Sequence, residues 1–535
     1  MSCSHFPTGA VETKPMKNPA IQLFGNRLFS DQTVSELLVE FLLVVFSRKK
    51  TGEIEVQDPL PTWEQLARWE ADPLRYAPRA RLNLKLFSFI GASRLDSRHQ
   101  THREHYRHLI NTLRDRIHAN DDNRDEVVRT LENLFLGFQG AGSGRTWCAQ
   151  SFLPVSPQFL ARESIWKEKK AKRDQVEDWD SLFNRSFSYF DMNQHLFLAR
   201  GGELLYLQLC QALRQTAERI AFWNRKNDLG LTDNELNPAW LHEELSRSLT
   251  HLMDHCPATL NKLADFIDRG LDLQTARRTD YDGDKRRFVK AGWCHAESWQ
   301  EGYLFGVALR RLLQNSLDVV DRVHLLEHLC AMQALRTLAL RSAQVLKKET
   351  TCWPGYRLVV SAPEEKRPAI RRLSQQSLKA VEKQIFRALR GPEVQLPDDP
   401  KERDKYLNQA DKSYGGKLFI SLAKRIGLVV PKRGAGARFV MNEQILRLLV
   451  FTTVSPGERL TFDTFKKRLE NCWGIVFDAS GLDKANQWLN SKSLYLPADT
   501  DEWLQEMLAA AGFLIHLSDS CALVHNPAGI REEER

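Results

Sequence analysis

The chain has 535 residues, 42% of them hydrophobic and 27% charged, a globular composition that excludes a disordered or fibrous protein. At roughly 100–200 residues per domain, the length predicts three or four domains. Lys and Arg number 76 against 68 Asp and Glu, and this formal net charge of +8 excludes a polybasic, histone-like protein but not a local basic surface.

Nine cysteines are scattered along the chain with no CxxC pair, which fits unpaired core thiols in a reducing compartment and neither a disulfide framework nor a zinc finger. Residues 1–19 are polar, with Pro7, Pro15 and Pro19, and lack the charged-then-apolar order of a signal peptide. The most apolar run, 37–46, is too short to span a bilayer and is interrupted by Glu40. The expectation is a cytoplasmic protein with no membrane partner.

In chain order, residues 1–150 predict a mixed, mostly helical region. A buried helix is expected over 34–47. Residues 81–89 alternate at Leu82, Leu84 and Leu86 and predict a short strand. Helices over 102–118 and 124–135 follow, and a glycine-rich loop over 137–144 closes the region. Residues 151–350 predict a helical bundle. Ser156-Pro157 opens one helix, which runs into the charged stretch 166–174. Further helices are expected over 196–217, 240–254, 260–271, 296–314 and 318–348. The last is apolar on several faces, which places it inside the bundle.

Residues 351–410 predict one amphipathic helix between Pro-rich breaks. Its apolar stripe is Ile370, Leu373, Leu378, Val381, Ile385 and Leu389, with one long step where Ser374 and Ser377 interrupt it. The other face carries Arg367, Arg371, Arg372, Lys379, Lys383, Arg387 and Arg390. Residues 411–535 predict a helix over 417–426, a Gly427 cap, two strands around the turn 432–436, and helices over 442–454 and 462–473, the second capped by Thr461. A helix over 502–511, a Gly512 cap and a hairpin over 513–525 repeat the theme. Helix, glycine, then hairpin is the winged-helix order, so the expected fold is mainly α, a multi-helix scaffold ending in one or two winged-helix-like units.

Two stretches, RLNLKLFSFIGASRLDSRHQTHREHYRHL at 81–109 and HLFLARGGELLYLQL at 195–209, resemble segments of uncharacterised proteins encoded in bacterial multi-gene antiphage defence clusters. The resemblance implies a cytoplasmic accessory subunit beside a helicase, ATPase or nuclease.

The charge is unevenly placed. Residues 366–390 carry a net +7, residues 391–410 a net −2 and residues 411–475 a net +7, so 366–475 hold +12, more than the whole chain; the last sixty residues hold −6. Clustered Lys and Arg beside a wing are the electrostatic footprint of phosphate-backbone binding. The candidate nucleic-acid-binding residues are Arg371, Arg372, Lys424, Arg425, Lys432, Arg433, Arg438, Lys466 and Lys467, and the expected partner is duplex DNA. The same surface also suits an acidic partner protein, and winged-helix units serve in assembly as well.

The remaining motifs are weaker. The loop 137–146 has Gln139 where a Walker A loop needs its first Gly, and Arg145 where it needs Lys. His99, His102, His105 and His108 recur every three residues, but Arg98, Arg103 and Arg107 repel a cation. Asp280, Asp282 and Asp284 begin like a calcium loop, yet Lys285 and Ala291 stand where it needs Gly and Glu. Cys294, His295 and Glu297 are sequence neighbours rather than a spatial triad, and Pro397-Asp398 has no Glu-x-Lys strand after it. No catalytic set, cofactor or metal is expected. A metal-dependent nuclease or nucleotidase built on the glycine loop or the histidines is the third reading.

Overall fold

Every residue of helix Gly201–Leu213 is buried, as its apolar run predicts, and it forms the middle of the molecule. Helices Val34–Phe46, Trp299–Leu313 and Val319–Val345 pack around it. Glycine permits the close crossings: a Cβ on Gly202 would lie 2.3 Å from the Leu37 carbonyl oxygen, and one on Gly302 would lie 2.2 Å from the Gln208 carbonyl oxygen. The computed structural model describes residues 5–10, 17–25, 28, 30, 32–78, 81, 84, 87, 100–136, 154–160, 165–166, 190–191, 201–254, 258–269, 288–346, 353–490, 500–518 and 521–529. The architecture is mainly helical with small sheets, and no helix among the described residues is long and apolar enough to cross a membrane.

Polar groups inside this bundle are paired across helices. The Gly202 amide donates to Glu40 Oε2 at 2.9 Å and Gln32 Nε2 donates to the same oxygen at 2.6 Å, so a buried carboxylate caps the positive end of helix Gly201–Leu213. Lys49 is buried, and its ammonium donates to the carbonyls of Val44, Val45 and Ser47 at 3.0, 2.8 and 2.9 Å, closing the last turn of Val34–Phe46. Burial pulls its pKa down to about 7. Gln208, Gln333 and Thr337 form a ladder between three helices, with Gln333 Nε2 reaching the Glu301 carbonyl at 3.1 Å.

The sequence expectations hold for helices 34–47, 102–118, 124–135, 240–254, 260–271, 296–314 and 318–348, within a few residues at each end. Three differ. Leu84 and Phe87 are helical and buried rather than part of a strand: spacing by three puts both on one helix face, and this outweighs the alternation. Among the described residues after Ser156, a 3-10 turn forms at Pro157–Phe159, and Ile165–Trp166 pairs as a strand with Phe190–Asp191. The helix expected over 196–217 ends at Leu213, and Thr216 caps a new one, Ala217–Asn227, by accepting from the Arg219 amide. A four-stranded antiparallel sheet, ordered Ile54–Val56, Arg48–Thr51, Leu74–Ala77 and Val289–Lys290, gave no sequence signal. The glycine loop 137–144 and Asp280, Asp282 and Asp284 lie outside the described residues.

Two predictions follow from the core. Gly302→Ala forces a Cβ into the Gln208 carbonyl, so it lowers stability by roughly 1–3 kcal/mol or more, read as a lower urea midpoint. Glu301 is fully buried, and burial pushes its carboxyl up to about 7 against the pull of Ser298, Arg341 and Arg336. The folded chain therefore keeps a proton that the unfolded chain releases near 4.5. Stability is highest below that value and falls as pH rises through about 7. Glu301→Gln removes this fall, so urea titrations should show the variant gaining on the wild type by up to roughly 3 kcal/mol between pH 5 and pH 8.

Candidate nucleic-acid interface

Helix Pro368–Ala388 buries one side against Val319–Val345, Gly416–Arg425, Ala479–Leu489 and strand Arg438–Phe439. Its two stripe-breaking serines explain the interruption seen in the sequence. The Phe439 amide donates to Ser374 Oγ at 2.9 Å and Ser374 Oγ reaches the Phe439 carbonyl at 3.2 Å. Ser377 Oγ donates to the Arg357 carbonyl at 2.6 Å and accepts from the Val359 amide at 3.1 Å. Each hydroxyl satisfies a buried strand edge that an apolar residue would leave unpaired.

Helices Pro400–Ser413 and Gly416–Arg425 follow. Then come strands Val429–Val430 and Arg438–Phe439, paired antiparallel. The tip between them is exposed from Pro431 to Gly436. Gly434 at φ +96° and Gly436 at φ +81° supply the left-handed turns. The wing leans on the basic helix, where Gln375 Nε2 donates to the Gly436 carbonyl at 3.4 Å.

A second winged-helix arrangement completes the chain. Helix Glu443–Thr453, strand Arg459–Thr461, helix Phe462–Trp473, helix Ala479–Leu489, helix Glu502–Ala510 and the hairpin Leu514–Ser518/Cys521–His525 succeed one another. The sheet runs in the order Arg459–Thr461, Cys521–His525, Leu514–Ser518. From residue 493 to residue 530 there is no Lys or Arg, so helix Glu502–Ala510 and the hairpin after it carry neither.

The nine candidate residues divide by environment. Arg371, Arg372, Lys432, Arg433 and Lys467 are exposed and make no ion pair among the described residues. Lys424 is half-buried beside Glu382, the one acid on the basic helix. Burial pushes the Glu382 carboxyl up, though Lys379 and Lys424 oppose this.

The other three are turned to structural use. Arg438 is only 7% exposed and donates to the Pro363 carbonyl at 2.7 Å; burial and neighbouring Arg371 lower its pKa. Arg425 donates to the carbonyls of Gln32 and, at 3.3 Å, Ser30, while the Ser30 amide donates to the Ser413 carbonyl at 2.7 Å. The N-terminal segment is thereby stitched onto the helix that precedes the wing. Lys466 pairs with Asp501 at 2.6 Å and Asp463 at 2.9 Å. Burial opposes its charge, but the two carboxylates raise its pKa overall.

What remains outward is a ridge. Helix Pro368–Ala388 has 21 residues, a length of about 30 Å. Its exposed positions are Arg371, Arg372, Lys379, Lys383, Phe386, Arg387 and, just past its end, Arg390. Lys432 and Arg433 extend the ridge at the wing. The sequence singled out this helix; it did not show that Arg425, Arg438 and Lys466 are held by carbonyls and carboxylates, because all of those partners but Asp463 are remote in sequence.

The other motifs are placed as follows. The side chains of His102 and His105 lie outside those described, and no group of three or more His, Cys, Asp or Glu that could hold a metal ion occurs among the described residues. Cys294 and His295 pair as a strand with His5–Phe6. Burial drives the Cys294 thiol well up, and burial with nearby Arg341 pulls His295 down to about 3. Comparison with known protein families, curated proteins and solved structures finds no match.

Single alanine substitutions test the division. Arg425→Ala, Arg438→Ala and Lys466→Ala each remove charge-assisted hydrogen bonds that tie neighbouring segments together, so each should lower stability by about 1–3 kcal/mol. Arg371→Ala, Lys432→Ala and Arg433→Ala should stay within about 0.5 kcal/mol of the wild type in the same urea titrations.

Proposed function

We propose that this chain is a scaffold subunit that binds nucleic acid through backbone phosphates. The binding surface is the outer face of helix Pro368–Ala388 together with the wing tip. The observation that carries this reading is a run of exposed cations with no ion pair among the described residues along one helix face, Arg371, Arg372, Lys379, Lys383 and Arg387, continued at the wing tip by Lys432 and Arg433. A ridge of about 30 Å matches one turn of a duplex, about 34 Å. Helix Gly416–Arg425 is held to the N-terminal segment through Arg425 and Ser421, so the reading favours backbone contact over base readout. Duplex DNA is the proposed partner.

The second winged-helix unit supports a division of labour. Its helix Glu502–Ala510 exposes Glu502 and Glu506, and its hairpin exposes Leu517 at 59%, a surface suited to protein and not to phosphate. We place the chain in a multi-protein assembly, proposed as a bacterial antiphage defence complex with a helicase, ATPase or nuclease, on the sequence resemblance together with this final helix and hairpin, which carry no Lys or Arg. In the second reading, the basic ridge grips an acidic partner protein instead.

Binding of a fluorescent blunt duplex decides between them. Each neutralised phosphate adds about 0.9 to the slope of log affinity against log salt. Four phosphate contacts therefore weaken binding on the order of a hundredfold between 50 and 200 mM salt. The variant carrying Arg371→Glu, Arg372→Glu, Lys432→Glu and Arg433→Glu should lose that binding with its stability unchanged. Equal duplex affinity for variant and wild type would overturn the proposal. Co-purification of an acidic protein that survives nuclease treatment, with no duplex binding, would establish the second reading.

A further inference from the structure

One residue on the ridge does not belong to a phosphate-binding surface. Phe386 sits among Lys383, Arg387 and Arg390, and 48% of it is exposed. Its neighbours Ile385, Ala388 and Leu389 fill the core, so the helix needs no aromatic at this outward position for packing. The ring is nevertheless held in a built arrangement. The Arg390 guanidinium lies 3.6 Å from the ring centroid. That guanidinium is fixed by two bonds to Asp411, Nη1 to Oδ1 at 3.1 Å and Nη2 to Oδ2 at 2.8 Å, and Nη1 also donates to the Phe386 carbonyl at 3.1 Å. A fork held at both ends keeps the ring in place before any ligand arrives.

We infer that Phe386 is a stacking platform for an unpaired base. The ligand of the ridge is then a nucleic acid with a single-stranded stretch, and Lys379, Lys383 and Arg387 hold its phosphates. This rests on the reading of the ridge as a phosphate-binding surface. Inside a duplex both faces of a base are covered by its neighbours, so an aromatic ring adds affinity only where bases are unstacked. Lys379 and Lys383 lie two turns and one turn before the ring and Arg387 directly after it, so cations flank the platform along the path of a strand. The charge on the ridge excludes a basic or purely apolar occupant, and the exposed ring distinguishes it from a plain phosphate track.

The test compares an oligothymidine strand with a blunt duplex of equal charge, using the full chain. Base stacking is worth about 1–3 kcal/mol per base, so Phe386→Ala should weaken strand binding by about 5–150-fold and leave duplex binding within about twofold. Phe386→Trp should retain strand binding, and Arg387→Glu should weaken both ligands. A 2-aminopurine placed in the strand should lose emission on binding wild type or Phe386→Trp, and should not on binding Phe386→Ala. If Phe386→Ala binds the strand as tightly as wild type while Arg387→Glu weakens both ligands, the platform is refuted and the phosphate-binding reading stands. If the wild type binds neither ligand, both fall and the surface belongs to a protein partner.

Discussion

The contact on which the arrangement turns is a buried ion pair. Glu235 has no exposed surface, and Arg311 faces it with a two-pronged grip, Nε to Oε1 at 2.7 Å and Nη2 to Oε2 at 2.6 Å. Burial alone would raise the Glu235 carboxyl, but Arg311, the Thr232 amide and Arg310 hold it below its ordinary range. The remaining Arg311 nitrogen donates to the carbonyls of Thr452 and Thr453 at 3.3 and 3.0 Å, and Tyr303 donates to the Glu235 carbonyl at 2.6 Å. Three separate parts of the sequence thus meet at one guanidinium: the turn before Pro238–Thr250, the core helix Trp299–Leu313 and the end of Glu443–Thr453. Removing either partner strands a charge in the interior, a cost of about 3–5 kcal/mol. The pair therefore fixes how the C-terminal winged-helix unit sits on the bundle more than it adds net stability.

The basic ridge is a product of the same satisfied interior. A helix can devote its outer face to unpaired cations only if its inner face is held without them. Pro368–Ala388 does this with Ile370, Leu373, Leu378, Val381 and Ile385 in the core and with two serine hydroxyls on strand edges. Mutual repulsion along the outer face is borne by that packing. The one carboxylate on the helix, Glu382, has its pKa pushed up by burial against the opposing pull of Lys379 and Lys424.

Periodicity made the helices legible. Residues 34–47, 240–254 and 318–348 have apolar spacing that only a helix can bury, and each forms where expected. Strands of two to four residues, such as Arg48–Thr51 and Val289–Lys290, are too short to carry a period, and Val289–Lys290 finds its partner Leu74–Ala77 more than two hundred residues away. Charge was legible as a location but not as a surface. Arg371 and Arg438 look alike in sequence, and only the position of the Pro363 carbonyl makes one a surface cation and the other a structural donor. The step of five at Ser374 and Ser377 was a readable signal of a second role for that helix, and its meaning required the strand beside it. The stacking of Arg390 on Phe386 had a weaker signal, an aromatic in an otherwise charged stripe.

The N-terminal region is completed by partners far downstream. His5–Phe6 finds its strand at Cys294–His295, the first sheet gains its last strand at Val289–Lys290, Gln22 exchanges hydrogen bonds with Gln395, and Ser30 meets Ser413. Synthesis delivers these pieces in the opposite order of need, at about 5–20 residues per second. The nascent chain therefore holds open strand edges until residue 295 has emerged, and the contacts of Gln22 and Ser30 wait for Gln395 and Ser413. Its long-range pairings close late, which makes nascent-chain protection a demand this topology places on the cell.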